Sequence, residues 1–428
     1  MLYFLVPGLV RRIGNCYKDL FALGGIPYPL LCAYIAMFVL GFDSLCGLIR
    51  ACPWCLSVST LSQYLQGFDQ NTMNRTVRRM RGSVLRKIRE RPSEWIFVFD
   101  TTRNPKRTQG LSGQGKWGDS GGIFEGRNLL VLSVVNVRTG KTLPVDCRPC
   151  IKQVDDSKNG KSAWRLSLDV LDEVLLSGFP KLPVVFDSWF DCHEFMKELD
   201  NRQITFEIEL KSMRNVKINI APRAKNHKIN SIFSESKKRG THVGCKESFG
   251  DIPKGLNGMR FIAAEIVHIT HRKHGHMALK VAGVFNHPKK NSPFACYATN
   301  DLSKSGLWLW QMSRCRWNIE VLFRNLKQNL AWGRFASQGE EACNASIIIP
   351  LIIVVHLELK NDGEKSIGTL LAIERQYTTI RSMDFILKNK NHGLIKIFKN
   401  RIALKNANQK PVNTVAETNF NEKPYCAA

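Results

Sequence analysis

The chain has 428 residues, with 62 Lys and Arg against 36 Asp and Glu, for a formal net charge of +26. That length buries a large core and divides into two or three domains, and the cationic surplus points to a polyanion, nucleic acid first and an anionic membrane surface second. Thirteen cysteines, an odd number scattered along the chain, argue against a secreted disulfide framework.

At the N-terminus Met1 to Val6 is apolar, but Arg11 and Arg12 follow it, the reverse of a secretory signal. Pro29 to Phe42 is nearly uncharged yet too short for a spanning helix, which needs about 20 apolar residues. The expectation is a cytoplasmic chain with no membrane contact. Residues 1 to 92 read as helical, through Leu30 to Leu40, Leu45 to Ile49, and Ser57 to Leu65 with its Ser and Thr capping signals. In Asn71 to Arg91, the cations Arg75, Arg78, Arg79, Arg81, Arg86, Lys87, Arg89 and Arg91 interleave with Val77, Val84, Leu85 and Ile88. This is an amphipathic helix with one cationic face. Against the single acid Glu90, that face suits phosphate contact better than mere solvation, and Arg78, Arg79 and Arg86 are its candidate DNA ligands.

The period changes at Trp95. WIFVFD from Trp95, NLLVLSVVNV from Asn128, and Thr142 to Cys147 read as three consecutive strands, while Gly110 to Gly126, with seven glycines, reads as a loop. Helix Ala163 to Leu176, strand Leu182 to Asp187, helix Cys192 to Asn201 and strand Ile204 to Leu210 follow, giving an α/β domain with a mixed sheet. From Lys211 to about Asn300, short strand-like runs rich in Lys, His, Gly and Pro imply a mainly β insertion. Its His268, His271, His274 and His276 fit no metal-ligand spacing and read as a basic surface hairpin. The CxxC pairs Cys52–Cys55 and Cys147–Cys150 lack compact zinc spacing and read as reduced, partly buried thiols. Beyond Gly333, Ala345 to Leu359 reads as a buried apolar helix broken by Pro350, and the tail from about Lys388 as basic, then polar and disordered.

Three acids stand out. Asp100 and Asp187 each close an apolar strand, where an ionised Asp either ends the strand into solvent or serves chemistry. The third, Glu320, lies in RCRWNIEVLFRNLKQNLAWG, residues 314–333, a helix in which Arg316, Glu320, Arg324 and Lys327 share an arc of roughly 80° beside an apolar face. Alone, that helix is explained by (i, i+4) ion pairs. Together, three carboxylates from separate elements are what phosphodiester chemistry uses to hold two Mg²⁺ ions about 3.5 to 4 Å apart, with Mn²⁺ a possible substitute.

Arg316, Glu320 and Lys327, separated by three and then six residues, resemble the Tyr-Arg-Glu-Lys signature of bacterial insertion-sequence DDE transposases of the insertion-sequence-four type. Ser313 stands where that family has Tyr. VFDTTRNPK around Asp100 and VVFDSWFDCHEFMKEL around Asp187, with Phe190 three residues after the Asp, resemble the family's first and second motifs in the same order. The resemblance implies a ribonuclease-H-like core, an α/β mixed sheet carrying a β-rich insertion and preceded by a helical domain. It implies a helical DNA-binding domain over 1–92, a core in two parts over 93–210 and 303–360, the insertion over 211–302 and a basic C-terminal region over 361–428. It further implies metal ligation by Asp100, Asp187 and Glu320, phosphate contact by Arg316, Arg324 and Lys327, double-stranded DNA (element ends and target) as the partner, and a homodimer on DNA. The expected activity is cut-and-paste transposition in a bacterial or archaeal cytoplasm. Two alternatives carry weight: a DNA-binding protein without catalysis, and another nuclease of the same fold.

Overall fold

The computed structural model describes residues 8–23, 25–41, 46, 62–105, 111, 114–119, 122–151, 162–218, 225–238, 243–245, 260–271, 273, 275–286, 292–333, 339–361 and 365–376. Met1–Val6, most of Leu45–Ile49, the first half of Ser57–Leu65, Cys52, Cys55, His274 and the tail from Lys388 lie outside the described residues.

The N-terminal part contains helices α1 (Gly8–Leu23), α2 (Tyr28–Val39) and α3 (Gln70–Glu90). Asp69 starts α3 by accepting the Thr72 amide at 2.7 Å, satisfying a donor that the first turn leaves without a helical partner. The basic segment is therefore helical, and its apolar side (Met73, Val77, Met80, Val84 and Ile88) is buried. One cation differs from expectation. Arg81 is buried rather than on the solvated face, and pairs with Asp146, which is how a charge that deep is tolerated.

The centre is a twisted sheet. Strands β1 (Trp95–Pro105), β3 (Gly122–Asn136) and β4 (Thr142–Pro149) pair antiparallel, with β3 in the middle. On the other side of β1, β5 (Val184–Phe186) and β6 (Phe206–Leu210) add in parallel. Between them run α4 (Ala163–Leu176) and α5 (His193–Asn201), the helical crossovers that parallel neighbours require. The glycine-rich stretch is not simply a loop: β2 (Gln114–Asp119) pairs with an extended first half of β3. Trp117 faces Phe124 across that pairing, and its indole N–H donates to the Gly126 carbonyl at 3.1 Å. Aromatic cross-strand contact outweighs the poor strand propensity of glycine there.

The segment after β6 continues the same sheet. Past the short pair β7 (Asn215–Val216) and β8 (His227–Lys228), and a helix α6 (Ile229–Lys238) not expected from the sequence, come β9 (Val243–Cys245), β10 (Arg260–His271), β11 (Gly275–Phe285) and β12 (Ala295–Thr299). β12 pairs with β6, β11 with β12, β10 with β11 and β9 with β10, all antiparallel. The full order is β2–β3–β1–β5–β6–β12–β11–β10–β9, with β4 also on β3.

Helix α7 (Gly306–Asn329) packs across one face, touching β1, β5, β6 and β12. It begins well before Arg314 because Ser305 caps it, accepting the Trp308 amide at 3.0 Å. Gly333, at φ +73° just past its end, packs so close to Asn104 that a Cβ would lie 2.4 Å from the Asn104 Oδ1. Helix α8 (Glu340–Lys360) runs unbroken through Pro350. Proline removes one helical hydrogen bond, that to the Ser346 carbonyl, but the turn is enclosed on all sides, which holds the helix together through it. Although α8 is long and apolar enough to cross a bilayer, it is buried against α1, α2, α3 and β4.

Candidate active site

The two strand acids owe their placement to alternation. In β1 the side chains of Phe97 and Phe99 point to one face and Asp100, Thr102 and Asn104 to the other. On the first face Phe99 stacks on Phe186 at 5.4 Å, and Phe186 packs against Phe190 and Phe195. This aromatic layer fixes β1, β5 and α5 together and leaves Asp100 facing α7. Asp100 stands in mid-strand rather than closing it. Asp187 does follow the end of β5, where it caps a 3₁₀ turn by accepting the Trp189 amide at 3.0 Å.

From α7, Arg316 reaches down between the acids. Its Nη1 is 3.0 Å from Glu320 Oε1 and 3.7 Å from Asp100 Oδ2. Asp100 is buried and accepts the Thr101 amide at 2.7 Å. Burial first, and the nearby Asp187 charge second, push its carboxyl up to about 7. Burial likewise raises Asp187 and Glu320, with Arg316 opposing in both cases. For Arg316, burial pulls downward, but Asp100, Glu320 and Asp187 outweigh it and hold the guanidinium protonated. Farther along the helix, Lys327 donates to Thr102 Oγ1 at 2.7 Å. Arg324 is exposed on the same helix.

Asp100, Asp187, Glu320, Arg316 and Lys327 thus lie along one strip between α7 and the sheet. Arg78, Arg79 and Arg86 belong to a different surface, that of α3. Arg78 and Arg86 are exposed, whereas Arg79 is engaged within the protein, donating to both Asp19 oxygens at 2.6 and 2.7 Å and to the Cys16 carbonyl at 2.8 Å. Ser313 donates to the Trp310 carbonyl at 2.8 Å, and the Tyr297 ring of β12 packs against the Trp310 ring at 6.0 Å.

Several residues of the site were not expected from the sequence. Glu207 and Glu209 of β6 lie on the α7 side, and both sense the Arg316 charge. Their signal was available in FEIEL, residues 206–210, where acids alternate with apolar residues in a core strand. Trp189, 50 % exposed, follows Asp187 by two residues in the chain. Among the described residues, no three of His, Cys, Asp and Glu converge as they stand on one ion position. Cys147 and Cys150 are buried free thiols. His268 and His276 share a 2.9 Å ring-nitrogen contact, while His271 stacks on His193 at 5.4 Å.

Do Asp100, Asp187 and Glu320 suit a divalent ion? Their donors are hard carboxylate oxygens, and the raised Asp100 marks negative charge that the protein only partly neutralises. Arg316 occupies the position between Asp100 and Glu320 where positive charge is needed. The set fits in chemistry.

Residues 91–355 match the family described as "Transposase DDE domain". Among solved structures, the chain is similar to a piggyBac transposase synaptic complex with hairpin DNA, at 13% identity and a TM-score of 0.40, covering 94% of this chain and 78% of that one. No curated protein matches.

Proposed function

Since the chain belongs to the transposase DDE domain family, we propose that it binds the ends of a DNA insertion element and carries out metal-dependent strand cleavage followed by strand transfer. The observation that carries this reading is that Asp100 from β1 and Glu320 from α7 share the Arg316 guanidinium while Asp187, from the end of β5, lies near enough for its charge to act on the Asp100 carboxyl. The order β4–β3–β1–β5–β6, with three antiparallel strands and then two parallel ones, supports a ribonuclease-H-like core and the insertion-sequence-four grouping's expected architecture.

Asp100, Asp187 and Glu320 would hold two Mg²⁺ ions. Bound there, the ions lower the pKa of an attacking water or 3′ hydroxyl and neutralise charge on the phosphate oxygens. The protein's own part is positional. The aromatic layer under β1 and β5 fixes the two aspartates, α7 brings Glu320 opposite them, and Arg316, once released from Asp100, is placed to meet a phosphate oxygen. Lys327, farther along α7, and exposed Arg324 would bind flanking phosphates. On a separate surface, Arg78 and Arg86 of α3 would add sequence-independent grip.

Cleavage of a duplex carrying the DNA that flanks the coding region tests the assignment. Glu320→Gln should keep the wild-type melting temperature within a few degrees and retain DNA binding, yet lose cleavage by at least about 100-fold, as expected when a metal ligand is removed. Wild-type cleavage by a folded Glu320→Gln would sink it.

A further inference from the structure

The acidic strip does not stop at three residues. In β6, Glu207 and Glu209 alternate with Phe206, Ile208 and Leu210, so both project to the face covered by α7. The pairing of Phe186 with Ile208 continues by one residue to set Asp187 beside Glu209. On the other side, Glu209 pairs with Tyr297 of β12. A row of polar side chains thus crosses four neighbouring strands: Asp100, Asp187, Glu209 and Tyr297.

Glu207 supplies an independent sign that this row is built to receive a cation. It is 1% exposed, and neither carboxylate oxygen has a hydrogen-bond partner among the described residues. A structural carboxylate buried this deeply is ordinarily hydrogen-bonded or paired. Arg316 is the cation that both glutamates sense, and it is already bonded to Glu320 and close to Asp100.

We propose that Glu209 is a fourth carboxylate ligand of the ion site, extending the ligand set from β1, β5 and α7 onto β6. This rests on the reading of Asp100, Asp187 and Glu320 as metal ligands. The rival explanation is that Glu209 merely balances the charge of Arg316, in which case its removal would touch the fold and leave ion binding alone. Glu207 lies deeper in the sheet, beneath the site, where burial pushes its carboxyl well up.

Mn²⁺ binding to the protein without DNA, followed by electron paramagnetic resonance and by calorimetry, separates these outcomes. Wild type should bind two ions. Glu209→Gln should weaken at least one of them tenfold or more and shrink the Mn²⁺-induced rise in melting temperature, without lowering the metal-free melting temperature. Should Glu209→Gln lack a cooperative melt, Glu209→Asp, which keeps the charge and shortens the reach, is judged by the same tenfold criterion. Unchanged affinity and stoichiometry in the folded Glu209 variant, with Glu320→Gln impaired, would overturn the fourth ligand alone. Failure of wild type to bind Mn²⁺ would overturn the three-acid reading beneath it.

Discussion

At Asp100 a single side chain carries both a cost and a use. Its carboxyl is pushed from 3.8 up to about 7, by burial first and then by Asp187. The folded protein therefore keeps a proton that the unfolded chain has already released, and between about pH 4 and pH 7 folding takes up that proton. Stability then falls as pH rises through this window. Asp100→Asn removes the effect. In metal-free buffer its melting temperature should move from near or below wild type at pH 5 to above wild type at pH 8, while cleavage is lost. A constant offset between the two proteins across that range would show that Asp100 does not titrate there. Mg²⁺ binding has the opposite pH dependence: it needs the carboxylate and should strengthen as pH rises through about 7.

The separation of Arg79 from its neighbours is also a residue-scale matter. Arg78→Ala with Arg86→Ala should weaken binding to every DNA sequence and flatten the salt dependence by roughly 0.9 for each phosphate that is no longer neutralised. Arg79→Ala should leave that slope alone and cost about 1 kcal/mol or less, as an exposed pair does. Its partner Asp19 is held down to about 2, chiefly by that hydrogen bond. Titrations of DNA binding at several salt concentrations check both outcomes. Nothing in the sequence near Arg79 announces the difference, because its partner sits in another helix, α1.

Among the elements, legibility followed how local the cause was. Ala163–Leu176 and His193–Asn201 could be read almost to the residue, since apolar periodicity specifies them. The strands of the core were recognisable by composition, and the three acids by motif. What could not be read depended on distant partners: β2 exists because β3 lies beside it, and α8 survives Pro350 because it is enclosed. Glu209 gained its meaning only when β6 was set beside β5. The junction after α7 offers a test at this scale. Gly333→Ala meets both a left-handed backbone and the Asn104 side chain, and should cost about 1 to 3 kcal/mol. A thermal melt at wild-type temperature would show that the junction relaxes freely.

Taken as a whole molecule, the β-rich segment is part of the main sheet and shares its core. Ile208 and Leu210 of β6 pack in the same cluster as Val281 and Ala298 of the added strands. Excising residues 211–299 should therefore leave a chain that aggregates or loses cooperative melting, because β6 would become an unpaired apolar edge. A soluble, cooperatively folding remnant, assayed by circular dichroism and gel filtration, would mark the segment as a dispensable module.

Helix α8 has a consequence for how DNA would be measured. It is packed simultaneously against α1, α2, α3 and β4, and Asn344 within it donates to the Phe68 carbonyl at 3.1 Å, just ahead of α3. The basic helix is thereby fastened to the sheet that carries Asp100, not hung from it on a tether. A duplex gripped by Arg78 and Arg86 and cut by the acids of the same subunit would be cut at a set number of base pairs from the grip. The protein would act as a ruler, with the spacing between grip and cut written into its fold and insensitive to the length of any linker.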